Sequence, residues 1–250
     1  MRILVLNPNT SSGMTSKIAD AARRAASAGT EIIARHSTQG PESIEGYYDE
    51  AMSLGGLLSV IRAEPDFDAV VLACFDDTGL DAARCLTDKP VVGIGESAYR
   101  MASMLSNKFS VVTTLARSIP ALEHNILRYG MHRYCVRVRS SEVAVLELEH
   151  ANSRARQQIS DEIAKAIAED RAEAIVLGCA GMTDLAQSLS QEFQMPVLDG
   201  VACAVVLCEG LVRLGLHTSR HGGYSPPPPG KLQSRQAIDS IPIKHGAAAP

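Results

Sequence analysis

The chain of 250 residues lacks tryptophan altogether, and aromatic residues of all kinds make up 4% of it. Aromatic side chains that could stack on bases are therefore scarce. The formal net charge is −4, and no dense cluster of Lys and Arg interrupts the sequence. A basic, aromatic-rich surface of the kind that binds nucleic acid is not indicated, so we expect no nucleic-acid partner.

Long apolar runs are also absent. No segment approaches the ~20 consecutive apolar residues that a membrane-spanning helix needs. The apolar run at the N-terminus, residues 3–6, is too short for the core of a secretory signal. We therefore expect no membrane association and a cytoplasmic location, where cysteine thiols stay reduced.

The six cysteines lack the C-x-x-C spacing of zinc sites and redox pairs. We interpret Cys85, Cys135, Cys203 and Cys208 as small, buried hydrophobic residues. The remaining two, which are discussed below, follow a different pattern.

Short apolar runs alternate with segments of helical character along most of the chain. Hydrophobic residues account for 46% of the sequence, enough for a substantial core. Alternation of this kind predicts an α/β fold with mostly parallel sheets built from βαβ units. The predicted strands cover residues 2–6, 31–35, 69–74, 90–94, 109–114, 135–138, 174–179 and 196–200.

This order of strands and helices occurs twice. A shift of 105 residues places Cys74 on Cys179 and Asn9 on Thr114. In both copies, a buried apolar run ends at the cysteine, and small or polar residues that open a helix follow. We therefore predict two pseudo-symmetric α/β lobes with an active site in the cleft between them.

The predicted boundaries follow from this repeat. The first lobe covers residues 1–95 and the second covers 96–200, while residues 201–218 return to pack on the first lobe. Residues 219–250 hold four consecutive prolines and little that is apolar. We expect this tail to be disordered or to lie extended over a neighbour.

Two cysteines at equivalent strand ends would face one small molecule from opposite sides, because open α/β sheets bind ligands at the carboxyl ends of their strands. One thiolate can then remove a proton from a stereocentre while the other thiol returns a proton to the opposite face. That reaction is a racemisation. The other interpretations are simple packing or a disulfide, and a reducing location argues against the disulfide.

Position also bears on the ionisation of these cysteines. A helix N-terminus lowers the pKa of a thiol, so we expect Cys74 and Cys179 to reach the thiolate form near neutral pH. Backbone N–H groups that follow each cysteine are expected to stabilise the enolate that proton abstraction creates.

Four motifs resemble the hydantoin racemase family, which belongs to the aspartate/glutamate racemase superfamily. They are Asn7-Pro8-Asn9-Thr10, the segment 40–47 (Gly-Pro-Glu-Ser-Ile-Glu-Gly-Tyr), the segment 73–79 (Ala-Cys-Phe-Asp-Asp-Thr-Gly) and the segment 177–182 (Leu-Gly-Cys-Ala-Gly-Met). The resemblance covers residues 1 to about 225. It implies a cofactor-independent racemase without a metal that acts on 5-substituted hydantoins or on allantoin, as a homo-oligomer.

The resemblance also implies roles for particular residues. Cys74 and Cys179 would be the acid/base pair. The substrate site would be lined by Asn9, Ile44, Phe75, Thr113, Thr114, Gly181 and Met182. Amino-acid racemases of the superfamily resemble Cys-Asn-Thr at the catalytic cysteines, whereas here Phe75 and Ala180 follow them. This departure implies a neutral ring rather than a zwitterion.

Other interpretations stay open. Asp76 and Asp77 could hold a divalent metal, although adjacent carboxylates before a helix more often cap it. An aspartate/glutamate-type racemase, or a decarboxylase or isomerase of the same two-lobed architecture, is an alternative enzyme. A small-molecule binding module is the alternative without catalysis.

Overall fold

A computed structural model of the chain describes residues 1–150 and 154–233. Over these residues the chain forms eight strands, whose apolar, β-branched residues favour buried parallel pairing. The strands are β1 (Arg2–Asn7), β2 (Glu31–His36), β3 (Ala69–Leu72), β4 (Val91–Gly93), β5 (Phe109–Thr113), β6 (Cys135–Ser140), β7 (Ala174–Leu177) and β8 (Val197–Asp199).

Helices connect consecutive strands, as parallel pairing requires. They are α1 (Ser12–Ala25), α2 (Tyr47–Ala63), α3 (Leu80–Leu86), α4 (Ile94–Leu105), α5 (Ile119–Arg128), α6 (Ala155–Asp170), α7 (Ala186–Phe193), α8 (Gly200–Arg213) and α9 (Pro229–Gln233). Short 3₁₀ turns cover Ala116–Ser118, Val145–Glu149, Ala180–Met182 and Gly222–Tyr224.

The strands form two four-stranded sheets of the same topology. Their orders are β2-β1-β3-β4 and β6-β5-β7-β8, and every pairing is parallel. β3 and β7, which precede the two cysteines, occupy equivalent places in these sheets. The predicted α/β class, with two similar parallel sheets flanked by helices, is confirmed.

Side chains alternate between the two faces of each sheet, because successive strand residues point in opposite directions. On β1, Ile3 and Val5 belong to a core that lies between the sheets, while Leu4 and Leu6 pack outward on a separate cluster with α2 and α3. In the second sheet, the outward residues pack with α6 and α7. The molecule is thus layered, with both sheets sandwiched by helices.

The inner faces of the two sheets share one continuous core. It combines Val71 of β3 and Val176 of β7 with residues of α1, α4 and α8. Helix α8 contacts α1, β3 and β4, and α4 contacts β4, β7 and β8. The lobes are therefore joined by packed helices rather than by a hinge alone.

The described part of the C-terminal tail differs from the expectation of an extended or disordered segment. Residues 222–224 form a 3₁₀ turn, and Pro229 begins α9, where its missing N–H costs no hydrogen bond. The Arg220 guanidinium donates to the carbonyl oxygens of Arg84, Cys85 and Thr87 at 2.8–3.1 Å. These carbonyls end α3 and need donors. The rest of the tail, residues 234–250, lies outside the described residues.

Membrane insertion finds no support in the described helices, because none of them combines the length and apolar character that a membrane crossing requires.

Candidate active site

A cleft of about 440 Å³, its open mouth included, lies at the carboxyl ends of the strands, between the two sheets. Its position agrees with the rule that parallel sheets bind ligands at this edge. The cleft is lined by Asn7, Pro8, Asn9, Met14, Ile44, Ala73, Cys74, Phe75, Asp76, Thr113, Thr114, Ser118, Val145, Gly178, Cys179, Ala180 and Gly181.

The structure brings eight of the nine predicted site residues to this cleft. Both cysteines line it, one from each lobe, together with Asn9, Ile44, Phe75, Thr113, Thr114 and Gly181. Met182 is placed elsewhere. Its side chain is fully buried in the outer core of the second lobe, because the 3₁₀ turn at residues 180–182 directs it away from the cleft.

Each cysteine lies two residues beyond its strand rather than at the strand's last position. β3 ends at Leu72 and β7 at Leu177. Helix α3 starts only at Leu80, and Cys179 is followed by a 3₁₀ turn before α7. The predicted placement at a helix N-terminus is therefore wrong for Cys74, because loop residues separate it from α3. Cys179 is the N-cap residue of the 3₁₀ turn Ala180–Met182, although further residues separate it from α7.

Backbone N–H groups contact the two sulfur atoms instead. Cys179 Sγ accepts from the N–H of Gly181 at 3.4 Å, and Cys74 Sγ accepts from the N–H of Asp76. The Thr78 hydroxyl also donates to Cys74 Sγ, at 3.5 Å. These N–H groups therefore stabilise the thiolates, whereas the sequence predicted that they would stabilise an enolate.

Burial nevertheless dominates the ionisation of both thiols. It raises the pKa of Cys74 well above its ordinary value, and an ionised Asp76 beside it would raise it further. Burial raises the pKa of Cys179 to about 12. Burial therefore opposes the expected thiolate near neutral pH at both positions, because desolvation of the charged form outweighs the N–H donors.

A cation outside the cleft lining lies close enough to the second cysteine to affect its pKa. The Lys17 ammonium donates to the carbonyl oxygens of Leu148 and Gly181 at 2.7 and 3.1 Å, and pairs with Asp184 at 3.1 Å. In this position its charge lowers the pKa of Cys179, although less than burial raises it. The two halves of the cleft are therefore electrostatically different.

Asn9 is oriented by its neighbours. Its Oδ1 accepts from Asn7 Nδ2 at 2.7 Å and from the N–H of Ser11 at 3.0 Å, which fixes the amide's orientation. Asn7 is itself held by Thr15. The Nδ2 of Asn9 is thereby left as the donor that can reach a carbonyl oxygen of a bound molecule.

The predicted threonines have different surroundings. The Thr113 hydroxyl donates to the Gly178 carbonyl at 2.9 Å, which ties β5 to the loop before Cys179. A Cβ at Gly178 would lie 2.8 Å from Thr113 Cβ, so this approach needs glycine. Thr114 is buried and lines the cleft directly. Phe75 also lines the cleft, and its ring packs edge-to-face on Tyr99.

Asp76 and Asp77 do not act together. The Asp77 carboxylate accepts from the N–H groups of Gly95 and Glu96 at 3.0 and 2.8 Å, and from the Tyr129 hydroxyl at 2.8 Å. The Asp77 carboxylate therefore caps α4, and it does not cap α3, the next helix along the chain. Burial raises its pKa to about 7. Across the described residues, no group of three His, Cys, Asp or Glu side chains is arranged to hold a metal ion.

Several residues that line the cleft were not predicted as site residues from the sequence. Asn7 belongs to a quoted motif, and its buried amide could have been inferred from the end of β1. For Asp76, the sequence pattern indicates only a capping or metal-binding role. Met14 and Val145 carry no polar signal, and only their position in the fold brings them to the cleft.

These observations define the class of protein: a two-lobed parallel α/β protein with a free thiol from each lobe in one interlobe cleft. Comparison with known proteins then gives the family. Residues 3–208 match the model of the Asp/Glu/Hydantoin racemase family, and the chain belongs to it, as its motifs predicted.

Individual relatives cover nearly the whole chain. A hydantoin racemase of Pseudomonas sp. (strain NS671) is 45% identical over 91% of this chain and 92% of its own. Among solved structures, allantoin racemase from Klebsiella pneumoniae is 45% identical with a TM-score of 0.89, covering 91% of this chain and 94% of its own. Allantoin racemase from Pseudomonas fluorescens is 41% identical with the same TM-score, covering 92% and 98%.

Proposed function

We propose that the protein is a two-base racemase of 5-substituted hydantoins, in which Cys74 and Cys179 exchange the proton on C5 of the ring without a cofactor. The observation that carries the proposal is the pair of free thiols, which approach one cleft from opposite lobes. The relatives at 40–45% identity that are named hydantoin racemases support the ring as substrate.

The reaction removes one proton from C5 and delivers another proton to the opposite face of C5. The thiolate of one cysteine takes the C5 proton and becomes a thiol, and the electron pair of the C–H bond moves into the adjacent carbonyl to give an enolate. The thiol of the other cysteine then protonates C5 from the opposite face and becomes a thiolate. Asn9 Nδ2 is a donor for the enolate oxygen.

The cleft suits a neutral ring better than a free amino acid. Among the described residues that line it, none is Lys, Arg or His, and Asp76 is the one carboxylate. An α-carboxylate would enter without a cationic partner, at a considerable desolvation cost. This lining disfavours aspartate or glutamate as the substrate.

Allantoin, a hydantoin with a ureido group on C5, is the second candidate substrate. The two allantoin racemase structures resemble this chain about as closely as the hydantoin racemases do. A panel of allantoin with isopropyl-, isobutyl- and benzylhydantoin, followed by polarimetry, separates the two possibilities, because the substituent with the highest kcat/KM identifies the substrate.

The first test is the loss of activity in cysteine variants. We expect Cys74→Ala and Cys179→Ala each to abolish racemisation of either enantiomer, because one acid and one base are both needed. Each single variant should retain exchange of the C5 proton for deuterium in D₂O with one enantiomer, measured by NMR. Cys85→Ala, a half-buried thiol outside the cleft, is the matched control and should leave the rate unchanged.

Full racemisation by both cleft variants would contradict the mechanism. Tight binding of the ring by the unaltered protein without any C5 exchange would instead favour a binding module.

Two further expectations go with this function. Catalysis needs both cysteines as free thiols, and a reducing cytoplasmic location would keep them so. We also expect a homo-oligomer. Helix α2 exposes Tyr47, Tyr48 and Met52 on its surface, and these apolar side chains are a surface that a second subunit could cover.

A further inference from the structure

Asp76 is the carboxyl side chain that lines the cleft of the proposed substrate. Apart from the two cysteines, it is the one ionisable residue among the described residues that line the cleft. It lies two residues after Cys74, on the first-lobe side. The mechanism proposed above assigns it no role.

The backbone of Asp76 is held on both sides. Its carbonyl oxygen accepts from Asn125 Nδ2 of the second lobe at 2.8 Å, and its N–H donates to Cys74 Sγ. These contacts hold the Asp76 backbone in place, and its side chain lies against the first turn of α2. There its carboxyl is within hydrogen-bonding contact of the carboxyl of Glu50.

Two carboxyl groups in such contact must share a proton, because neither has a hydrogen to donate when both are ionised. Glu50 Oε1 is fully buried and has no hydrogen-bond partner within the described part of the chain. The other ionisable groups that interact with Asp76 are Asp77, Tyr99 and the two cysteines, none of which is a cation. Burial, followed by the nearby carboxylates, raises the pKa of Asp76 well above its ordinary value.

The location of the proton follows from the helix. Glu50 lies in the first turn of α2, where the helix dipole favours a negative charge. Asp76 is therefore the protonated partner, and its O–H donates to Glu50. The other oxygen of Asp76 is then a fixed acceptor beside Cys74.

The opposite side of the cleft has no such group. The 105-residue repeat places Gly181 where the first lobe has Asp76. A Cβ at Gly181 would lie 2.8 Å from Leu148 Cδ1 and 3.0 Å from Met14 Cε, so a side chain there needs its neighbours to shift. A ligand between the two cysteines thus meets a carboxyl on one side and packed apolar atoms on the other.

We propose that Asp76, held by Glu50 through one shared proton, is a substrate-specificity residue that accepts a hydrogen bond from an N–H group of the substrate ring. The inference rests on the proposed function, since it names the part of the substrate ring that the cleft recognises. The substrate class is a neutral ring with an N–H near its reacting carbon.

The test uses three small achiral probes: hydantoin, 1-methylhydantoin and 3-methylhydantoin. Calorimetry gives the Kd of each, and NMR in D₂O gives the rate of C5 exchange. We expect the unaltered protein to bind hydantoin at least ~10-fold more tightly than one of the two methylated rings, the equivalent of ~1.4 kcal/mol. Asp76→Ala should reduce that ratio to less than ~3-fold by weakening only hydantoin binding.

Companion variants separate recognition from a structural role. Asp76→Asn keeps an acceptor oxygen and should retain most of the ratio, whereas Glu50→Ala should reduce it because Asp76 loses its partner. Asp76→Leu replaces Asp76→Ala if that variant does not fold. The matched control is Glu42→Gln, which removes an exposed carboxylate from the loop that carries Ile44 and should leave the ratio unchanged.

Several results would overturn the inference. They are equal weakening of all three probes in Asp76→Ala, an unchanged ratio in Glu50→Ala, or near-equal Kd values for the unaltered protein. If the protein binds hydantoin selectively but exchanges no C5 proton, the proposed racemase function fails while the role of Asp76 stands.

Discussion

Lys17 is the residue that makes the two thiols of the cleft unequal. Its ammonium is fixed by two carbonyl oxygens and by Asp184, and its charge lowers the pKa of Cys179. Burial raises the pKa of Cys74 well above its ordinary value, and no Lys, Arg or His is among the described residues that line the cleft beside it. Lys17 therefore favours the ionised form of Cys179.

A prediction for Lys17→Met follows from this difference. Loss of the cation should raise the pKa of Cys179, so its thiolate fraction at a given pH falls. We expect alkylation of Cys179 by iodoacetamide, measured in the Cys74→Ala background between pH 7 and 10, to slow several-fold and to shift to higher pH. The thiolate is the species that reacts.

The same substitution should affect Cys74 much less, and its alkylation in the Cys179→Ala background is the internal reference. Lys165→Met removes an exposed lysine of α6 and serves as the charge control. Equal slowing at both cysteines would show that Lys17 acts by holding the lobes together, and the electrostatic interpretation would be wrong.

Residues of the cleft were predictable where their chemistry is visible in the sequence. Cys74 and Cys179 follow apolar strands in register, and Asn9 follows β1, so each could be placed at the carboxyl edge of a sheet. Glu50 could not be linked to Asp76, because their contact depends on how α2 packs. Met182 was misplaced because a single 3₁₀ turn redirects its side chain.

At the scale of elements, the two lobes cap equivalent helices in different ways. In the second lobe, the N-cap residue Asp199 accepts from Val201 and Ala202 N–H at 2.9 and 3.0 Å. In the first lobe, the N-cap of α4 is Gly93, and Asp77 supplies the carboxylate from another loop. A Cβ at Gly93 would lie 2.1 Å from Asp77 Oδ1. An aspartate N-cap at position 93, like Asp199 in the second lobe, is therefore incompatible with the present position of the Asp77 carboxylate.

This exclusion predicts a strong coupling between Gly93→Asp and Asp77→Gly. The first change alone should destabilise the protein through the clash, and the second alone should leave the N–H groups of α4 without an acceptor. Together they would give α4 an aspartate N-cap of the kind that Asp199 provides for α8. Glycine also suits position 77, where φ is 52°.

We expect a coupling free energy on the order of 2 kcal/mol, measured by urea unfolding of the two single variants and the double variant. Asp77→Asn is the control for the loss of charge alone. Additive effects of the two substitutions would contradict the shared-cap interpretation.

The order and type of most elements were predictable because apolar alternation and helix signals are strong in this chain. The ends of these elements were less predictable. The strands stop two residues before the cysteines, and the short 3₁₀ turn Ala180–Met182 replaces the helix start that the sequence predicted after Cys179. These details depend on contacts such as that of Thr113 with Gly178, which local sequence does not encode.

At the scale of the whole molecule, the two lobes share their inner core. The ring of Tyr99 on α4 packs against Phe75 of the first lobe at 5.4 Å and against Phe109 of β5 at 6.1 Å. Helix α8 returns from the second lobe to pack on β3 and β4. Apolar surface that is buried jointly cannot be exposed by one lobe without destabilising the other, so both lobes should unfold together.

A destabilising substitution in one lobe should therefore increase the hydrogen-exchange rate in the other. Asp170 is buried at the end of α6, where its carboxylate accepts from Arg139 at 2.6 Å and from Ser110 at 3.0 Å. Asp170→Ala leaves the guanidinium without its main partner and should cost about 3 kcal/mol. We expect hydrogen exchange of β1 and β3, which lie in the other sheet, to speed up by the same free energy as that of β5 and β7.

Exchange rates of peptides from both sheets, read by mass spectrometry, decide the matter. Asp20→Ala breaks an exposed pair with Arg23 on α1 and should leave both sheets unchanged. If Asp170→Ala accelerates exchange only in β5 and β7, the lobes unfold separately. The cleft between them would then be a hinge between two independent units, and the geometry of the cysteine pair would depend on ligand-driven closure rather than on a shared core.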